Sequence, residues 1–440
     1  MLPWELWNMD DLVSRRIRQQ PLPDEFPGVH AMGEEEAEAA LRVCRSKSLY
    51  RYYGMNLLQE ATSFEHEFAD FLGIPYVVAV TSGTAALHTA LSALRVGPGC
   101  EVIVPAYMWV SVIAAVVNLG AIPVLADIDD TFCLDPEDVE RKITPRTVGM
   151  IAVHMSGAQA DVVRLSALAR RRGIFLLEDC AQCVGGSIDG KRVGTFGDMA
   201  IFSFQMNKNM SSGEAGAVVT NDEELYRRSV ATHDAGYARS ASGKLLMDDS
   251  SSFGWGRGLR LDELRASILR VQLRKLPSTI ERMHHSKYKI RRWLESHPEA
   301  SLRRVIDRAG DTGCFLLTIF PDAETAHAVN DRLRLLGIAS VSAETSNVIL
   351  SDYGMHIYYN IPALVRKIGT DGRGSPWTLT ENQNSSYSYG KGACPRADDL
   401  FERTQLLAIP SCLSKSDEDE IIEAFQEAMD AVFPAAAQEQ

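Results

Sequence analysis

From Tyr76 to Leu177 the chain alternates short apolar, β-rich runs with stretches of helical periodicity, and this alternation limits the possible folds more than any other feature. YVVAV passes through TSGT into AALHTALSAL. EVIVP leads to WVSVIAAVVNL, which Gly120 closes, and PVLADI precedes a helix that Asp135 can cap and Pro136 can start. VGMIAVHM, DVVRLSALARRRG and IFLLEDC continue the series. Strands joined by helical crossovers of this length run parallel, so the pattern predicts an α/β fold with a mostly parallel, doubly wound sheet. MAIFSF and GAVVT lie close enough in the chain to be sheet neighbours and bring the expected strand count to seven.

Beyond Leu261 a helical pattern runs to Leu276, where Pro277 is expected to break or kink it before IERMHHSKYKIRRWLES resumes. CFLLTIF, AETAHAVNDRLRLLG and a helix after Ser416 then suggest a smaller α/β unit. The predicted division is an N-terminal extension over 1–30, a large domain over 31–276 and a small domain over 277–440. Residues 343–393, rich in Asn, Ser, Tyr and Gly, read as a long functional loop region.

With 58 acidic against 45 basic residues the net charge is −13, so nucleic acid and anionic membrane are poor partners and any bound anion needs a local device. The start MLPWELWNMDDL lacks the basic flank of a signal peptide, and no run of about 18 apolar residues is present, which predicts a cytoplasmic protein. Eight cysteines in 440 residues read as thiols, and Cys180 with Cys183 as a weak candidate for a redox pair.

In doubly wound sheets ligands bind at the carboxyl ends of the strands. Four groups belong there. Ser82, Gly83 and Thr84 open a helix whose free N–H groups and dipole suit a phosphate. Asp179 follows the apolar run Ile174 to Leu177, where a buried carboxylate needs a cationic or donor partner. Lys208, beyond MAIFSF and among Gln205, Asn207 and Asn209, can become an amine nucleophile towards an aldehyde if its pocket removes the proton. Trp109 supplies a flat ring after EVIVP. An anion site, a flat ring, a carboxylate for a pyridine nitrogen and a lysine for an aldehyde together complement pyridoxal phosphate.

The ordered series TSGTAAL, GCEVIVPAYMWVSV, GAIPVLADID, LLEDCAQCVGG, VGTFGDMAIFSFQMNKNMSSGEAGAVVTND, LRLDELRASILRVQLRKL and RADDLFERTQLLAIPSCLSKSDEDEI resembles the DegT/StrS family of pyridoxal-phosphate-dependent sugar and cyclitol aminotransferases, over about residues 30–435. The resemblance implies the fold type I, aspartate-aminotransferase-like architecture, a homodimer, and amino transfer from glutamate or glutamine to a keto sugar, free or nucleotide-linked, or a keto cyclitol. It also implies Lys208 as the amine that takes the cofactor's aldehyde, Asp179 at the pyridine nitrogen, Gln182 near the phenolic oxygen, Trp109 on the ring, and Gly83, Thr84 and Ser203 at the phosphate. Some members of the family are dehydratases with histidine at the lysine position, which Lys208 disfavours. A catalytically silent regulator would be expected to lack Lys208 or Asp179. Gly258, in Gly258-Leu259-Arg260, stands where many members have an Asn that reaches the partner subunit's phosphate, so Arg257 or Arg260 is expected to take over.

For the acceptor, Tyr107, His154 and the tyrosines Tyr50, Tyr52 and Tyr53 of SLYRYYG are candidate pocket residues, and Arg239 with Lys244 a candidate diphosphate clamp. Other motifs point elsewhere or nowhere. Gly185 to Lys191 fits the start of a P-loop, but Arg192 stands where Ser or Thr must bind magnesium. GWGRG lacks dinucleotide spacing, the adjacent His284 and His285 diverge on a helix, and the NxS at Asn384 lacks a secretory context. No metal site is expected.

Overall fold

Seven strands join in one sheet because their side chains, alternating along each strand, are apolar on both faces. The computed structural model describes residues 16–240, 243–247, 254–341, 346–369, 371–383 and 385–434. Residues 1–15 of the predicted extension, parts of the polar stretch and Asn384 therefore lie outside the described residues. The strands are β1 (Tyr76–Val80), β2 (Glu101–Pro105), β3 (Ile122–Ala126), β4 (Thr147–Val153), β5 (Phe175–Asp179), β6 (Met199–Ser203) and β7 (Gly216–Thr220). Their order is β1-β7-β6-β5-β4-β2-β3. Neighbours pair in parallel from β3 to β6, whereas β7 runs antiparallel to both β6 and β1.

In β1, Val78 and Val80 enter one core with Ile103 and Leu177, while Val77 and Ala79 enter a second core with Phe64, Phe68 and Phe202. This two-sided burial is what the unbroken apolar runs require. The crossovers include α1 (Gly83–Ala93) and α2 (Val110–Asn118), and Asp135 caps the next helix, α3 (Pro136–Lys142), by accepting from the Glu137 amide.

Helix α4 (Glu263–Leu294) connects this sheet to a smaller one and runs through Pro277 without a break, contrary to the expected interruption. A proline removes one N–H bond to the preceding turn. Leu273 and Leu276 bury the helix before it in one core, and Met283 and Ile290 bury it after it in another, so packing on both sides holds the helix together. The smaller sheet is antiparallel, with β8 (Ser301–Leu302), β9 (Phe315–Ile319), β10 (Asn347–Ile349) and β11 (Thr404–Ala408) in the order β8-β9-β11-β10. The last helix, α5 (Lys415–Val432), starts just before the expected Ser416, because Ser414 caps it in a reciprocal box with Asp417.

The polar stretch is more ordered than its composition suggests. It supplies β10, and further along it covers the edge strand β3. Tyr389 donates to the Pro123 carbonyl at 2.8 Å, and the Asn382 amide donates to the Gly120 carbonyl at 2.9 Å. Edge strands left bare expose unpaired backbone, and this cover engages part of that edge.

Residues 16–28 form an arm that lies along residues 336–340, with Leu22 in the core beneath the smaller sheet, and ends at the lysine loop. The Leu22 amide donates to Ala339 at 2.8 Å and the Arg18 amide to Leu336 at 3.1 Å. The Arg18 guanidinium reaches Asp417 and Glu420 of α5, each at 2.6 Å. Further along, the Gly28 amide donates to the Lys208 carbonyl at 3.0 Å. A Cβ on Gly28 would sit 2.7 Å from the Met210 Cα, so only glycine allows the arm to come this close.

Candidate active site at the strand ends

Gly83, Thr84, Trp109, Asp179, Gln182, Ser203 and Lys208, drawn from four separate chain segments, all line one cavity of about 740 Å³ at the carboxyl ends of β1, β2, β5 and β6. Sequence reasoning singled out each of them, and the fold brings them together.

At one part of this cavity Ser82 caps α1 by accepting from the Ala85 amide at 3.0 Å. The Gly83 and Thr84 amides, first in the helix, have no partner within it, and the helix dipole adds partial positive charge there. Thr84 Oγ1 lies 2.7 Å from Ser111 Oγ. A Cβ on Gly83 would fall 2.7 Å from the Ser203 Cβ, so glycine is what lets the serine close the cradle. Trp109 stands at the N-cap position of α2, is 47 % exposed and lines the cavity.

Asp179 ends β5 and is almost fully buried. One of its oxygens accepts from the Ala181 amide at 3.0 Å, and the other has no donor among the described residues. Burial pushes its pKa up, against the pull of the Ala181 amide and the Lys208 charge. Burial lowers the pKa of Lys208, while Asp179, Cys314 and Glu25 oppose that shift. A lysine with a depressed pKa and no hydrogen-bond partner among the described residues is an amine ready for a carbonyl.

Gln182 is held at both ends of its amide. Its oxygen accepts from the Ser156 amide at 2.9 Å, and its nitrogen lies 3.3 Å from His356 Nε2. Burial first, and the Lys208 charge second, bring the His356 pKa down to about 3, so the ring is neutral and can accept from Gln182. A recess of about 70 Å³ shares Gln182, Asn207, Lys208, Tyr353 and His356 with the main cavity and is further lined by Glu25, Tyr107 and Ser156.

Sequence reasoning missed Glu25, Tyr353 and His356. Glu25 sits in an aperiodic stretch before Phe26-Pro27-Gly28, and His356 has a φ of 68° just before the Tyr107–Ile357 bridge. Neither position leaves a periodic signal.

Several candidates fall elsewhere. His154 is fully buried, with Nδ1 accepting from the Ala160 amide at 3.1 Å and Nε2 lying 3.1 Å from Glu178, so both ring nitrogens are satisfied inside the core and it is no pocket residue. Tyr52 bonds His233 at 3.0 Å and Tyr50 packs on Tyr52 and Tyr53, away from this chain's cavity. Arg239 is held by Asp234 and the Gly243 carbonyl, each at 2.5 Å, so it is not a free clamp beside the exposed Lys244. Arg260 also pairs with Asp234, at 2.7 Å. Cys180 and Cys183 are fully buried, and burial raises both thiols well above their usual range, which removes the redox reading. His154, Glu178 and Cys180 lie close enough for a metal, but four donors already occupy both Glu178 oxygens: the His154 ring and the amides of Gly194, Phe196 and Gly197.

A profile described as the DegT/DnrJ/EryC1/StrS aminotransferase family matches residues 30–346. The chain belongs to that family. An L-glutamine:2-deoxy-scyllo-inosose aminotransferase of Streptomyces kanamyceticus is 43 % identical over 218 residues, which are 48 % of this chain and 51 % of that protein. A 3-amino-5-hydroxybenzoate synthase of Amycolatopsis mediterranei (strain S699) is 40 % identical over 261 residues, 58 % of this chain and 64 % of that one. The matched part thus spans between half and two thirds of these relatives. The crystal structure of a 3-amino-5-hydroxybenzoic acid synthase superposes with a TM-score of 0.74 at 28 % identity, covering 94 % of this chain and all of that one. Its fold is therefore that of the DegT/StrS architecture inferred above. Among the described residues, no helix is long and apolar enough to cross a membrane.

Proposed function

We propose that this protein is a pyridoxal-phosphate-dependent aminotransferase that moves an amino group from glutamine or glutamate to a keto cyclitol or keto sugar. The observation that carries this reading is the convergence on one cavity of a helix N-terminus and, among the described residues, a lysine without a hydrogen-bond partner and a buried carboxylate with only one. That donor set fits the cofactor group by group. When bound, the cofactor would supply an aldehyde for the amine and a ring that withdraws electrons from the carbon losing its proton. The second oxygen of Asp179 would hold a proton at the pyridine nitrogen. The Lys208 amine would take the aldehyde and is placed to serve as the base that moves a proton between the two carbons. The Gly83 and Thr84 amides with Ser203 would hold the phosphate. Trp109 would lie beside the ring and Gln182 would serve the phenolic oxygen.

Amine chemistry at Lys208 favours transfer over dehydration. A free ring is favoured over a nucleotide-linked one, because Arg239 is already held by Asp234 and Arg265, the arginine at the main cavity, pairs with Asp262 at 2.7 Å. The proposal also takes in the cytoplasmic location, the division of the chain at residues 30 and 276, and a homodimer. In the dimer the exposed Arg257 serves the partner's phosphate in place of Asn, since Arg260 is engaged. Sedimentation of the purified protein as a monomer would remove that last element.

The test of function is a pair of half-reactions. The protein loaded with pyridoxal phosphate should absorb in the visible, lose that band to borohydride with the label on Lys208, and convert to the amino form with glutamine or glutamate. Keto cyclitols or keto sugars should then restore the band. Restoration by simple α-keto acids alone would make it an amino-acid aminotransferase.

A further inference from the structure

We infer that Glu25, carried in by the N-terminal arm, is an acceptor-specificity residue: its carboxylate receives hydrogen bonds from ring hydroxyls of the keto substrate and takes no part in handling the amino donor. The inference rests on the aminotransferase reading above and names what recognises the acceptor.

Three observations carry it. Glu25 lines the recess beside Lys208 together with Tyr107, Gln182, Tyr353 and His356, and its own carboxyl has no hydrogen-bond partner among the described residues. A half-buried carboxyl without a partner is costly unless a ligand completes it. The arm is also fixed at both ends of this segment, by the Leu22 amide on the Ala339 carbonyl and by the Gly28 amide on the Lys208 carbonyl, so the backbone that carries the carboxyl is held in place. Finally, the recess chemistry selects among substrates. Among the described residues Lys208 is its only Lys or Arg and Glu25 its only carboxylate, which would repel an amino acid's α-carboxylate. A polyol brings uncharged O–H donors, which a carboxylate accepts well. At about 70 Å³ the recess takes a hydroxyl-bearing edge of a ring, and the rest lies in the main cavity.

The groups facing Glu25 are Lys208, Tyr107, Tyr353, His356 and Cys314 across the recess and Asp24 on its own arm. Burial raises its pKa to about 7, with Lys208 opposing and Asp24 reinforcing the shift. The accepting carboxylate therefore forms as pH rises through about 7, and acceptor binding should tighten over the same interval.

The experiment uses the cofactor-loaded protein and its Glu25→Gln variant, with 2-deoxy-scyllo-inosose as acceptor and glutamine as donor, each half-reaction followed by absorbance. The variant should leave the donor half-reaction within about twofold and raise the acceptor KM by about tenfold or more, the loss expected for a hydrogen bond to a charged group. In the wild type the acceptor KM should fall as pH rises through about 7, and this step should vanish in the variant. Calorimetry of myo-inositol, which has no ketone to react, should show weaker binding to the variant. An unchanged acceptor KM, an equal loss in both half-reactions, or a flat wild-type pH profile overturns the role of Glu25. The wild-type profile tests it even where the variant does not fold. If instead the wild type is restored by α-keto acids but by no keto polyol, the aminotransferase reading for polyols fails, and that outcome is separate from the others.

Discussion

The cavity around Lys208 has two kinds of wall. The Gly83–Thr84 cradle, Trp109, Asp179 and Ser203 sit at or just beyond strand ends of one sheet, each fixed by the strand or helix beside it. Glu25, Tyr353 and His356 come instead from an arm and from a short helix with the turn after it, more than 300 residues apart in sequence and bridged back to Tyr107 and Lys208. The difference separates two tasks. Walls made by the sheet suit a cofactor that stays, whereas walls made by peripheral segments suit a substrate that varies.

If this division is right, damage to the first kind of wall should impair both half-reactions, and damage to the second should impair only the acceptor's. The largest effect is expected from Lys208→Ala, which should reduce both by about four orders of magnitude or more and abolish borohydride labelling. Asp179→Asn should still bind cofactor, yet lose about a hundredfold or more in both half-reactions, because the ring nitrogen is no longer held protonated. Gly83→Ala should weaken cofactor affinity by about tenfold, since the new Cβ must displace Ser203; equilibrium dialysis would reveal it. Arg18→Ala should loosen the arm, raising the acceptor KM several-fold while glutamine still converts the cofactor at the wild-type rate. A comparable loss with glutamine would erase the division.

The smallest effect concerns acid stability. The folded His356 titrates at about 3 against an ordinary value of about 6.5, so the unfolded chain binds the proton more readily between those values. Its contribution is fully present above about 6.5 and is lost as pH falls towards 3. The unfolding free energy from urea titration should therefore fall less between pH 7 and pH 5 in His356→Asn than in the wild type, by about 2 kcal/mol.

The same division explains what could be read from the sequence. YVVAV, EVIVP and IFLLEDC give both the strands and the residues at their ends, because strand periodicity and the strand-end rule are local. Asp179 and Lys208 were legible for that reason. Pro277 misled, because local chemistry predicts a break while burial of Leu273, Leu276 and Met283 holds the helix together. His154 misled in the opposite way: it stands at a strand end, but its partners Ala160 and Glu178 turn it inward. Glu25 and His356 were invisible because their positions depend on long-range docking of aperiodic segments.

The arm fastens through Arg18 and Leu22 to the periphery and through Gly28 to the lysine loop, and it adds no strand to the seven-stranded sheet. Its replacement is therefore a low-risk graft so long as Gly28 is kept. A chimaera bearing another relative's arm should keep its catalytic floor and change its diet, so that descent in such a lineage can rewrite what the enzyme accepts while the chemistry stays inherited.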